Sequence, residues 1–177
     1  QRRQSMSSLA EAPAPAPFEG DSSSMFAIVG KVLRLETSLG VVWLRLRPDA
    51  APLTCNSIER GVAFGLYDGT SFYRSDFVLQ CGLHGSGKRN PFPEITVNEA
   101  KLPNHRGTAS VAHFDAPDCG DTEFFVNLKA NPHLDTAYGG YAVFAEVTDD
   151  HGLQLCDKIA DAVKTHGSVP LISASLE

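Results

Sequence analysis

The chain has 177 residues, 42% hydrophobic and 20% charged, a balance that suits one globular domain around a single core. With 15 Lys and Arg against 21 Asp and Glu the formal charge is −6, which excludes a broad basic face for nucleic acid. No apolar run approaches the ~18 residues of a membrane span, and Met25–Val29 is too short for a signal core. The small basic clusters Arg2-Arg3, Arg45 with Arg47, and Lys88-Arg89 read as solvated surface. The four cysteines, Cys55, Cys81, Cys119 and Cys156, form no CxxC pair, so neither a zinc site nor a dithiol redox motif is indicated. They are expected to be free thiols in a reducing compartment, either the cytoplasm or an organelle interior.

Residues 1–28 are expected to form a Pro/Ala/Ser-rich tail, and residues 29–177 the folded domain. Ala10–Phe18 reads A-E-A-P-A-P-A-P-F, which favours extended polyproline II, and Asp21–Ser24 forms a joint. Such a segment buries little apolar surface, so a partner protein or the domain's own surface would have to order it. A start at Gln1 rather than Met points to processing or to a piece of a longer chain. No retained targeting signal is visible.

Two strands then follow, Val32–Leu35 and Val42–Arg47, joined at Ser38-Leu39-Gly40; alternation is clear in the second. Pro48 and Pro52 stop that strand and open a helix over Thr54–Phe64, with Pro52 in the first turn where its missing N–H costs nothing. Short strands are expected at Thr70–Tyr73 and Phe77–Cys81, then a long loop from Gly82 to Pro103. Three more apolar runs follow at Gly107–Ala112, Glu123–Leu128 and Tyr141–Val147. A second helix is expected over Leu153–Val163, and a last strand over Val169–Leu176. Many short strands with two helices suggest a capped closed barrel rather than βαβ units.

Gly82–Lys88 fits G-x-x-x-x-G-K, but Arg89 stands where a phosphate loop needs Ser or Thr, and Pro91 and Pro93 forbid the helix that must follow. Ser110, His113 and Asp115 on one strand cannot fold back into a nucleophile–base–orienter chain. The six histidines show no metal-ligand spacing. No cofactor or metal is therefore expected.

The informative pieces are Phe72-Tyr73-Arg74, Phe77–Gly82, Arg106–His113, Thr122–Asn127 and Gly140–Val147. They place one arginine, one glutamine and several aromatics on neighbouring strands. In this order and spacing they resemble the cyclophilin family, whose signatures are F-H-R, F-x-x-Q-G-G, R-G-x-x-x-M-A, Q-F-F-I and V-F-G-x-V. The resemblance spans Val32 to Leu176. It implies a mainly β fold, an eight-stranded antiparallel closed barrel capped by two α-helices, with the site on its outer face.

The family's activity is peptidyl-prolyl cis–trans isomerisation, without cofactor or metal, on proline-containing peptides and proteins. By matching position, Arg74 would be the catalytic arginine. Phe77, Val78, Phe125 and Leu134 would form the proline pocket, with Tyr141 at its rim. Gln80 and the backbone of Ala112 would hold the peptide. The chain departs from the family in five places. Only Ser75 and Asp76 separate Arg74 from Phe77, a shortened connection, and Tyr73 stands where the family has His. Glu123 replaces the usual Gln; its carboxylate would either blunt Arg74 by pairing with it or hold it in place. His133 occupies the position of a Trp associated with cyclosporin, which implies weak cyclosporin binding, and Tyr141 replaces His. Two readings remain open: an active isomerase, or a binding or structural subunit that keeps the fold and has lost useful turnover. Arg74 pointing into the groove near Gln80 and Phe125 favours the first; Arg74 paired to Glu123 favours the second.

Overall fold

A computed structural model describes residues 30–177. The expectations for a tail over residues 1–28, and for a partner ordering it, lie outside the described residues. Eight antiparallel strands close into a barrel in the order β1-β2-β7-β5-β6-β4-β3-β8. They are β1 (Val32–Thr37), β2 (Gly40–Leu46), β3 (Thr70–Ser75), β4 (Val78–Gly82), β5 (Thr108–Val111), β6 (Phe124–Asn127), β7 (Val143–Val147) and β8 (Val169–Leu176). Helices α1 (Pro52–Ala63) and α2 (Asp150–His166) complete it.

The period-2 pattern of β2 sends Val42, Leu44 and Leu46 inward, where they meet Leu33 and Leu35 of β1 and Leu171 of β8. Phe72, Leu79, Phe124, Val126 and Phe144 fill the rest of the barrel interior. The helices bury their apolar faces in the same core, α1 through Cys55 and Ile58, α2 through Leu155, Ile159 and Val163. α1 packs against β7 and β8, and α2 chiefly against β3 and β2.

Three differences from the sequence expectations have physical causes. α2 runs past Leu153–Val163 at both ends, because its first and last turns are solvated and carry no apolar periodicity. The stop signals were in the sequence: the Asp149 side chain caps Gly152 N–H at 2.7 Å, and Gly167 ends the helix at φ 86°. β7 begins at Val143 rather than Tyr141, because Tyr141 N–H donates to the Leu134 carbonyl at 2.9 Å. Two 3₁₀ turns, Pro132–Asp135 and Ala137–Gly139, precede it where no regular structure was expected.

The remaining boundaries shift by a residue or two. β3 extends to Ser75 because Arg74 pairs with Gln80, and Phe77 lies in the turn before β4. Gly82–Lys88 forms a tight turn whose Lys88 ammonium donates to the carbonyls of Gly65, Leu66 and Asp68. That lysine is committed to the end of α1 and the turn after it, in keeping with the rejection of a phosphate loop.

Candidate active site

Beside the barrel core lies a separate apolar cluster on the outer face. Val78, Phe125 and Leu134 are buried in it, with Phe77, Ala112 and Tyr141 packed partly exposed around them. Strand alternation explains the placement. On β4, Leu79 and Cys81 point into the barrel, so Val78 and Gln80 point out. On β6, Phe124 and Val126 point in, so Glu123 and Phe125 point out. Gln80 pairs directly with Phe125 across the β4–β6 ladder. The cluster floors a cleft of about 940 Å³ that also takes in Tyr73, Arg74, Gln80, His84, Phe92, Phe114, Cys119 and Glu123.

A β-bulge brings Arg74 to this face. Phe72 pairs with Cys81 and Arg74 with Gln80, so two residues of β3 oppose one of β4 at Tyr73. Without it, simple alternation from the buried Phe72 would turn Arg74 inward. With it, Tyr73 and Arg74 both reach Gln80: Arg74 Nη1 donates to Gln80 Oε1 at 3.0 Å, and Gln80 Nε2 donates to the Tyr73 hydroxyl at 2.7 Å. Tyr73 in turn donates to Glu123 Oε2 at 2.6 Å, and Glu123 Oε1 accepts the His84 backbone N–H at 2.9 Å. Burial, and then the neighbouring Glu123 carboxylate, hold the Tyr73 phenol well above its ordinary range, so it stays a donor.

Glu123 therefore does not pair with Arg74. The acid that does is Asp76, which sequence reasoning passed over: Arg74 Nε and Nη2 lie 2.9 and 2.8 Å from Asp76 Oδ2. Its signal was an acidic residue two positions after the arginine, in a connection too short to carry it elsewhere. The Arg74 guanidinium carbon lies 5.7 Å from the Phe77 ring centroid, at the mouth of the apolar cluster.

The other expected residues are accounted for as follows. Ala112 spends its N–H on the Glu123 carbonyl at 2.7 Å and lines the cleft. Tyr141 stacks on His113 with ring centroids 4.1 Å apart and meets the edge of Phe125 at 5.7 Å. Burial pushes the Tyr141 phenol upward. His113 is no part of a hydrolase triad. Its ring nitrogens face the carbonyls of Phe114 and Gly140 at 2.7 and 2.9 Å, while Ser110 is buried and donates to Asn104. His133 is exposed and packs edge-on against Phe77 at 5.2 Å, outside the cleft lining.

Sequence reasoning also missed the buried amide network behind the cluster. Asn104 Nδ2 donates to the Tyr141 carbonyl at 3.3 Å and to Asp135 at 2.9 Å. Asn131 Nδ2 donates to the Phe77 carbonyl at 3.2 Å and to Asn127 Oδ1 at 2.8 Å. Asn127 closes the set by donating to Asn104 Oδ1 at 3.1 Å. The carbonyls of Phe77 and Tyr141, on two sides of the cluster, are thus tied together through the three asparagines. Only Asn127 carried a signal, as a polar end to an apolar run. Among the described residues no group of three His, Cys, Asp or Glu side chains could hold a metal ion.

The sequence profile described as cyclophilin-type peptidyl-prolyl cis-trans isomerase/CLD matches residues 32–175. The chain belongs to the cyclophilin family. This cyclophilin is 31% identical over 152 residues to a peptidyl-prolyl cis-trans isomerase of Acinetobacter baylyi, covering 81% of this chain and 80% of that one. It is 34% identical over 160 residues to one of Streptomyces antibioticus, covering 82% of this chain and 95% of that one. Its fold is similar to that of a Hirschia baltica cyclophilin, with a TM-score of 0.70 at 20% identity, over 81% of this chain and 73% of that one. A Cryptosporidium parvum cyclophilin-type isomerase, crystallised in the presence of the dipeptide Ala-Pro, matches with a TM-score of 0.69 at 21% identity, over 82% and 98% of the two chains. Among the described residues no helix is long and apolar enough to cross a membrane.

Proposed function

We infer that the protein is a peptidyl-prolyl cis–trans isomerase that takes exposed X–Pro bonds of peptides and unfolded or flexible chains. The observation that carries this reading is a guanidinium held at the mouth of a solvent-open apolar cluster separate from the core. The Ala-Pro dipeptide present with the Cryptosporidium parvum relative supports the same ligand class.

The chemistry follows from the amide. An X–Pro bond turns over in tens to hundreds of seconds unaided, against a barrier of ~18–20 kcal/mol set by its partial double-bond character. Twisting the bond breaks the resonance and localises a lone pair on the proline nitrogen. A donor aimed at that nitrogen binds the twisted state better than the planar one, which is the difference catalysis needs. Arg74 is that donor. Asp76 and Gln80 occupy Nε and one side of each Nη group, and a guanidinium has five N–H in all, so Nη protons remain for the peptide. Val78, Phe125 and Leu134 hold the ring, Phe77 and Tyr141 bound it, and the Ala112 carbonyl accepts a peptide N–H. Lowering the barrier by ~5 kcal/mol would accelerate the bond several thousand-fold.

Capture of Arg74 by Glu123 would favour the alternative reading, a subunit without turnover; Tyr73 holds that carboxylate instead, and Arg74 stands beside Gln80 and Phe77. With exposed His133 in place of an indole, cyclosporin binds weakly. Phe125→Ala tests the pocket: an NMR titration with a short Ala-Pro peptide should show affinity falling about tenfold, as expected for removing a buried aromatic anchor. Unchanged affinity would place the proline elsewhere.

A further inference from the structure

We propose that Asp76 is a positioning residue for Arg74; the proposal rests on the isomerase reading. The carboxylate is itself fixed by the turn it sits in. The Asp76 backbone N–H donates to the Val78 carbonyl at 3.0 Å, and Asp76 Oδ1 accepts the Val78 N–H at 3.0 Å. Its other oxygen, Oδ2, receives Arg74 Nε at 2.9 Å and lies 2.8 Å from Nη2. Gln80 holds the remaining corner through Nη1 at 3.0 Å. The guanidinium plane is therefore gripped at two edges, and its orientation is tied to the same turn that presents Phe77 and Val78 to the proline ring.

The side chains of Arg74 and Asp76 are 46% and 42% exposed. An ion pair that open to water contributes little to stability, so its effect should appear in where the arginine points. A carboxylate also takes away part of the charge that a catalytic guanidinium offers. Orientation outweighs that loss, because an unheld arginine at the tip of a hairpin samples many rotamers and meets the proline nitrogen in few of them. The field of a fixed N–H also costs no reorganisation at the moment of twisting.

The test uses the full chain with Asp76→Ala and Asp76→Asn, followed by NMR exchange on an Ala-Pro peptide. Asp76→Ala should lower kcat about tenfold with KM within about twofold, as a misaimed rather than absent group does. Asp76→Asn has a single carbonyl oxygen for the two sets of donors that Oδ1 and Oδ2 serve, so it should fall between the native chain and Asp76→Ala. In an Arg74→Lys background, where the two-edged grip cannot form, Asp76→Ala should add less than about a twofold loss. The Arg74 Nε–H resonance should be sharp and protected in the native protein and exchange-broadened in Asp76→Ala. A native or faster kcat in Asp76→Ala, or an equal loss on the Arg74→Lys background, would overturn the proposal. An inactive native protein would instead sink the isomerase reading, and the Nε–H resonance of Asp76→Asn and Asp76→Ala would still decide whether the grip exists.

Discussion

A carboxylate on a strand next to a catalytic arginine blunts its field only if the two meet. Glu123 is kept away by two partners, the Tyr73 hydroxyl and the His84 N–H, and by its seat against Gly82, where an added Cβ would lie 2.3 Å from the carboxylate. The cysteines show the same dominance of surroundings over residue type. Burial pushes the Cys55 and Cys156 thiols up to about 12, and Cys81 well upward too, whereas Cys119 is half-buried at the cleft. Since the thiolate is the reactive form, a thiol reagent at pH 8 should modify one cysteine of the folded chain and all four after unfolding. Rapid reaction of three in the native state would contradict the packing. The sign of the pH dependence follows from linkage. A folded thiol pKa raised above its ordinary value of 9.0 leaves stability intact below pH 9, and stability is then lost as pH climbs from 9 toward 12. The slope is at most ~1.4 kcal/mol per pH unit per buried thiol.

At the scale of elements, α1 has no cap of its own, since Ala51 offers no side-chain acceptor. Glu99, 6% exposed, supplies the acceptor from the long loop: it takes the Leu53 and Thr54 N–H groups at 3.1 and 2.8 Å and the Thr54 hydroxyl at 2.9 Å. Its charge also suits the positive end of the helix. Glu99→Ala should cost about 2–4 kcal/mol by urea unfolding, because it strands buried donors. Asp149→Ala, at the exposed cap of α2, should cost about 1 kcal/mol. Equal costs would show that burial adds nothing to the cap. The start of α1 was legible because Pro52 is a local signal, whereas a cap arriving from residue 99 is not. The bulge at Tyr73 was equally silent, since it exists only in the pairing of β3 with β4.

For the whole molecule, many short strands with two helices pointed to the barrel and the family resemblance pointed to the outer cluster, and in the structure alternation accounts for both. Inward Phe124 and Val126 fix outward Phe125, and inward Leu79 fixes outward Val78 and Gln80. The order of the motifs along the chain then identified the family and placed Arg74 among them. The Asn104–Asn127–Asn131 network and the 3₁₀ turns over Pro132–Gly139 were not legible, because polar partners are chosen in space and leave no period in the chain. Closure also bears on where the chemistry sits: apolar side chains fill the barrel interior, and the cleft that holds Arg74 lies on the outer face, across β3, β4 and β6. The most direct test of catalysis there is NMR exchange of an Ala-Pro peptide in the presence of the native chain and of Arg74→Ala. The native chain should speed exchange far above the uncatalysed rate, and Arg74→Ala should lose most of that gain while keeping a native amide spectrum. A folded native chain with no effect on exchange, or an Arg74→Ala variant as fast as the native one, would contradict it.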